Sequence, residues 1–305
     1  MPQVTANGLQ LEYESLGDRE APPVLLIMGL GAQLIRWPDA FCQGLLNGGY
    51  RVIRYDNRDV GLSSKLSGRA KLGQEAARAL LGLPGRPPYT LFDMADDAVG
   101  LLDALSVPSA HVIGVSMGGM IGQILAARHA ARVRQFVSIM STSGSRSLPG
   151  PSLALRLQLL KPAPKNDLSA RINHLMTVMR MIGSVTYPRN EEILRAQVTR
   201  ELARSDHPAG FLRQLAAILG SPSRLPLLSG IKAHTLVIHG SDDPLIPVAA
   251  AHDLQRRIPN AELEILPGMG HEIPAAICEQ VTHRILKHLR QVSSEQLPLQ
   301  PKLQT

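Results

Sequence analysis

The sequence predicts an α/β chain, with a mostly parallel, doubly wound sheet and a helical cap inserted after the sixth strand. Three observations carry this. Short apolar runs such as Val24–Met28 alternate with helical segments through residue 140, the pattern of parallel strands buried on both faces. From about 141 to 228 the alternation stops, and four or five helices follow one another before strands resume at His234. Between a strand-like run and a helical one stands Gly114-Val115-Ser116-Met117-Gly118, the setting of a nucleophile on a tight turn.

The elements follow in order. Asn7-Gly8 between two strand-like runs predicts a tight hairpin. Val24–Met28 is a buried strand that ends at Gly29-Leu30-Gly31. A helix is expected over about Leu34–Leu46, stopped by Asn47-Gly48-Gly49. Tyr50–Tyr55 is the next strand, and Asp56 to Gly61 forms a turn in which Asp56 and Arg58 are expected to pair and brace the loop. Helices are expected near Gln74–Leu81 and Asp93–Leu105, then the strand ending at Val115, the helix after Ser116, and a strand at Gln135–Met140.

In the inserted region the helices are Ser152–Leu160, Leu168–Ile182, Glu191–Arg204 and Gly210–Leu219, separated by prolines including Pro188, Pro208 and Pro222. The core resumes with a strand at His234–His239, a helix near Val248–Ile258, a strand at Glu262–Leu266 and a helix from about Pro274 to Val292. The Pro- and Gln-containing tail after Ser294 is expected to be a surface strap or disordered. The domain division is therefore 1–140 with 229–305 as core, and 141–228 as cap.

Ser116 is the candidate nucleophile. A turn that holds it clear of the sheet strains its own backbone, and side chains two residues away would collide, so Gly is needed at 114 and 118. The helix that begins just after it turns backbone N–H groups toward the reacting oxygen. Such a serine needs a base and a group to orient the base, which in this order of elements come later in the chain. The acid candidates are Asp242 and Asp243, directly after a buried strand, and the base candidate is His271, in a Gly-rich loop after the final strand. The other nine histidines fall in predicted helices, strands or turns. Among them His239, which precedes the acid loop, either lines the site or caps its strand.

These motifs resemble the α/β-hydrolase fold over essentially the whole chain. The resemblance implies Ser116, Asp243 and His271 as the triad, with Asp243 preferred over Asp242 on the family's spacing. It also implies an oxyanion hole from the backbone N–H groups of Leu30 and Met117. Within the superfamily the chain is similar to the aclacinomycin methylesterase-like branch. That similarity is carried by Ile27-Met28-Gly29-Leu30-Gly31, by Trp37-Pro38-Asp39 with Arg54 to Gly61, and by Pro267-Gly268-Met269-Gly270-His271. Met28 stands where the family usually has His before the Gly, a loop-supporting rather than a reacting position. A serine at the elbow argues against the haloalkane dehalogenase and epoxide hydrolase relatives, which carry Asp there.

The activity implied is carboxylic ester hydrolysis of a small-molecule substrate through an acyl-enzyme. Thioester, lactone, amide or carbon–carbon bond hydrolysis and perhydrolysis are alternatives on the same triad, and a low-turnover ligand-binding protein is an alternative of another class. Gly29, Met176, Met179 and His239 are the candidate pocket residues.

Composition bounds the rest. At 305 residues with 44% apolar content the chain can bury a sizeable core. No apolar run is long enough to cross a bilayer, and the first residues lack a secretory pattern. Cys42 and Cys278 are expected as buried free thiols in a reducing, cytoplasmic setting. The net charge of +7 arises mainly at 151–230, which holds 11 Lys/Arg against 5 Asp/Glu. Those cations are spread over amphipathic helices with few aromatics, so a solvated surface is expected rather than nucleic-acid binding. No zinc-ligand spacing, phosphate loop or dinucleotide fingerprint is present, and neither cofactor nor metal is expected. Nothing in the sequence speaks to oligomeric state.

Overall fold

The computed structural model describes residues 2–161, 164 and 167–291, so the tail after Ser294 lies outside the described residues. Eight strands form one sheet: β1 (Gln3–Ala6), β2 (Leu9–Leu16), β3 (Pro23–Ile27), β4 (Arg51–Tyr55), β5 (Ala110–Val115), β6 (Val133–Ile139), β7 (His234–Gly240) and β8 (Glu262–Leu266). Their spatial order is β1-β2-β4-β3-β5-β6-β7-β8. The predicted hairpin pairs β1 with β2, turning through Asn7 (φ 49°) and Gly8 (φ 75°). β2 runs antiparallel to β4, and β3 to β8 are parallel.

The chain leaves β3 for β4 on one side and returns to β5 on the other. That reversal opens a crevice at the carboxyl ends of β3 and β5, where α/β sheets place ligands. The strands are apolar on both faces because both are covered. Leu25, Ile27, Ile53, Val112 and Phe136 belong to one core layer with helices α3 (Leu91–Ala104), α4 (Met117–Arg128) and α10 (Ala249–Arg257). Val24, Leu26, Val52, Ile113 and Val137 belong to the other, with α1 (Asp39–Asn47) and α11 (Cys278–Gln291). Cys42 and Cys278 are free and buried in that second layer.

Among the helix starts that differ from expectation, two have clear local causes. The segment predicted as one helix from Leu34 is a 3-10 turn (Leu34–Arg36) followed by α1. Pro38 lacks an N–H and holds Trp37 extended (φ −60°, ψ 126°), so the α-helix begins after it. α3 begins before Asp93 because Asp93 closes a capping box with Thr90. Between α1 and α3, α2 covers Leu72–Leu80.

The insertion between β6 and β7 comprises α5 (Leu153–Leu160), α6 (Leu168–Ile182), α7 (Glu191–Arg204), α8 (Pro208–Gly220) and α9 (Leu225–Leu228). Ser152, Asp167 and Asn190 cap the first three through their side-chain oxygens. α6 and α7 share a small apolar core of Ile172, Met176, Met179, Leu194 and Val198. Leu153 and Leu157 are exposed instead.

The 56–61 turn does not brace itself as expected. Asp56 is fully buried and receives Arg204 of α7 at 2.7 Å, together with the Leu34 and Leu62 N–H groups. Arg58 pairs instead with Asp97 of α3 through two 2.6 Å contacts, and Asp59 takes a bidentate pair of 2.8 Å contacts from Arg213 of α8. The turn therefore fastens the insertion to the core. It uses charges that sequence proximity does not pair, and Arg204 is a largely shielded anchor rather than part of a solvated face.

Candidate active site

Ser116 sits at the crevice, at the end of β5, with φ 55° and ψ −117°. A non-glycine residue in this region is strained, and it persists only because its surroundings hold it. Its N–H donates to Ile139 O at 2.9 Å, and its carbonyl accepts from Ser141 Oγ at 2.8 Å. The flanking glycines are steric requirements. A Cβ on Gly114 would stand 2.3 Å from Gly118 O, and one on Gly118 would stand 2.0 Å from Ile27 O.

His271 and Asp243 arrive from loops at the ends of β8 and β7. These loops are pressed together, since a Cβ on Gly240 would meet Met269 O at 1.9 Å. His271 Nδ1 lies 2.7 Å from Asp243 Oδ2, and His271 Nε2 lies 3.0 Å from Ser116 Oγ. With the carboxylate accepting a hydrogen bond from Nδ1–H, Nε2 is left to accept from the serine hydroxyl. The other carboxylate oxygen, Asp243 Oδ1, accepts from the Leu245 and Ile246 N–H groups at 2.9 and 2.8 Å.

Burial by itself would push the Asp243 carboxyl up. The His271 charge, hydrogen bonds from His239 and His271, and the Ile246 N–H outweigh it and hold the group well below the usual carboxylate range. Asp243 is thus an anion fixed against the imidazole. Asp242 is exposed and, among the described residues, accepts only from its neighbour Ser241 Oγ.

The other site candidates divide. A Cβ on Gly29 would come within 3.2 Å of Ser116 Cβ and 3.7 Å of its Oγ, so this backbone borders the serine directly. Met117 is the first residue of α4, where an N–H has no partner within its own helix. Among the described residues, neither the Met117 nor the Leu30 N–H has a hydrogen-bond acceptor. The next amide, Gly31 N–H, is taken by Gln214 Oε1 of α8 at 2.8 Å. Asn57 Nδ2 donates to Met28 O at 3.1 Å and supports the loop from below.

His239 and Met176 are both buried. His239 has no exposed surface, and its Nε2 contacts Ile246 O at 2.7 Å and Asp243 Oδ2 at 3.4 Å. It backs the acid loop. Met176 is buried within the α6/α7 core, and Met179 belongs to the same cluster. Phe211 of α8, 36% exposed, lies over Gly31 instead: its ring is 2.7 Å from where a Gly31 Cβ would be.

Sequence reasoning missed the clamp on the His271 loop. His271 N–H donates to Ile182 O at 2.7 Å, and Gly270 N–H donates to Ser184 Oγ at 2.9 Å. Glu272 is buried; it accepts from Ser184 N–H at 2.7 Å and pairs with Arg189. These contacts join residues more than 80 positions apart, and no local pattern announces them.

The fold and this arrangement define an α/β hydrolase, and the chain belongs to the alpha/beta hydrolase fold family, whose pattern it matches over residues 22–274. Among its relatives is the rhodomycin D methylesterase DnrP of Streptomyces peucetius, 30% identical over 315 aligned residues that cover 94% of this chain and 97% of that one. A 2-hydroxy-6-oxononadienedioate/2-hydroxy-6-oxononatrienedioate hydrolase of Burkholderia vietnamiensis is 27% identical, covering 92% and 91%. Of solved structures, the enol-lactonase from Burkholderia xenovorans superposes with a TM-score of 0.75 at 25% identity, covering 95% of this chain and all of the other.

Proposed function

We propose that the chain is a serine carboxylesterase acting on methyl or short- to medium-chain esters. The observation that carries this reading is the hydrogen-bonded line Ser116–His271–Asp243, bordered by the turns that carry the Leu30 and Met117 N–H groups, which have no acceptor among the described residues. Ser116 Oγ attacks the ester carbonyl as His271 Nε2 takes its proton. Asp243 holds the imidazole in the required tautomer and stabilises the imidazolium. The Leu30 and Met117 N–H groups receive the developing oxyanion, each contributing about 3 kcal/mol. His271 then protonates the leaving alkoxide, and by the reverse sequence activates water to release the acid. Similarity to a methylesterase supports an ester as the substrate.

A panel of p-nitrophenyl esters of rising chain length tests this. A burst of nitrophenol near one equivalent per chain is expected with the slowest-deacylating esters, followed by steady turnover. Each methylene that fits should improve kcat/KM by up to about fourfold, from roughly 0.8 kcal/mol per buried CH₂. Absence of both burst and turnover across the panel would overturn the reading.

Residues 141–228 act in this proposal as a cap over the acyl site, with Phe211 as a wall. Phe211→Ala is expected to move the preferred acyl chain to longer members, and Phe211→Trp to shorter ones. The same kcat/KM series checks it. An unchanged preference in both variants would remove the acyl site from beneath α8.

A further inference from the structure

At the amino edge of the sheet, opposite Ser116, three potential metal ligands converge. His234 opens β7, Glu262 opens β8, and His288 lies in the last turn of α11. One ligand atom of each lies within 4.8 Å of the other two. His288 Nδ1 is 3.3 Å and His234 Nδ1 3.7 Å from the same oxygen, Glu262 Oε1. Ligands at 2.0–2.1 Å from a tetrahedral ion are about 3.3 Å apart, so the His288–Glu262 spacing already fits, and the two rings, stacked 5.0 Å apart, need to turn their Nδ1 atoms toward a shared ion.

The hydrogen bonding points the same way. His288 is fully buried, its Nε2 lies 3.3 Å from the His234 carbonyl oxygen, and its Nδ1 faces the Glu262 carboxylate. A neutral imidazole has one proton for these two acceptors, so either tautomer leaves a lone pair against an oxygen. His234 Nδ1 is a buried nitrogen with no hydrogen-bond partner. Arg284 holds the other carboxylate oxygen, Glu262 Oε2, at 2.5 Å and leaves Oε1 turned to the two rings.

We propose that His234, Glu262 and His288 bind one divalent first-row transition-metal ion of the Zn²⁺ kind. Two imidazole nitrogens and one carboxylate oxygen suit that class. His288 Nε2–H donates to the His234 carbonyl, and such outer contacts orient ligating histidines. His234 and Glu262 are about one-third exposed, at 36% and 31%, so water completes the coordination. The ion ties the end of α11 to β7 and β8, away from the hydrolytic site, and the inference stands independently of the esterase reading.

Tag-free protein stripped with chelator and titrated calorimetrically with Zn²⁺ tests it. One ion per chain is expected, at micromolar affinity or tighter. Saturation at about 100 times Kd should raise the unfolding temperature by about 5 °C. His234→Ala and Glu262→Gln should each weaken binding at least about tenfold, while His271→Ala should leave it intact. His234 is about one-third exposed, so its alanine variant tests the site without emptying a core position. Binding only in the millimolar range, binding indifferent to both substitutions, or binding lost with His271→Ala would overturn the proposal.

Discussion

Ser116→Ala is expected to lower ester turnover by about 10⁵- to 10⁶-fold, as loss of the nucleophile does in serine hydrolases generally. The remaining rate above that of water would reflect the oxyanion donors and substrate binding alone. The fold should survive. Alanine meets the same backbone strain at φ 55°, the glycines at 114 and 118 keep their clearances, and only the 3.0 Å contact to His271 is lost. Thermal unfolding should therefore move little, and labelling by a fluorophosphonate should vanish. Labelling that persists in a folded Ser116→Ala protein would place the nucleophile elsewhere and end the proposed mechanism.

Asp243→Asn is expected to lower kcat by about 10⁴-fold, whereas Asp242→Asn should change it less than about twofold. The contrast follows from position, because adjacent side chains on a loop diverge. Asp243 is buried, with one oxygen 2.7 Å from the imidazole and the other held by two N–H groups. An amide there can donate to Nδ1, which places the ring proton on Nε2, where it cannot accept from the serine. Asp242 points to solvent, where loss of its charge is screened. Steady-state rates of the two variants on one activated ester decide the matter. A larger loss in Asp242→Asn would mean that the acid acts from the other position.

Features set by short-range periodicity and steric necessity could be read directly from the amino-acid order. Strands buried on both faces show as unbroken apolar runs, and both core layers contain the residues those runs supply. Ser116 was legible because its strained turn tolerates only glycine at two fixed offsets, a constraint written within five residues. Most helix bounds were legible to within a few residues; the error at Leu34 lay in Pro38, whose effect on Trp37 is local but easily overrun by an apolar pattern.

Tertiary structure alone decided the rest, because it concerns partners that meet only after the chain closes. The loop at 56–61 showed charges but not their mates, and Arg204, Arg213 and Asp97 come from three different helices. Met176 and Met179 had the composition of a pocket wall, but the α6/α7 packing turned them into the insertion's own core and left Phe211 over Gly31. The clamp of Glu272 with Arg189, and the meeting of His234, Glu262 and His288, join residues tens of positions apart. Periodicity records which face of an element is buried. It does not record what lies against that face, and the choice of contact between distant elements arises only when the layers pack.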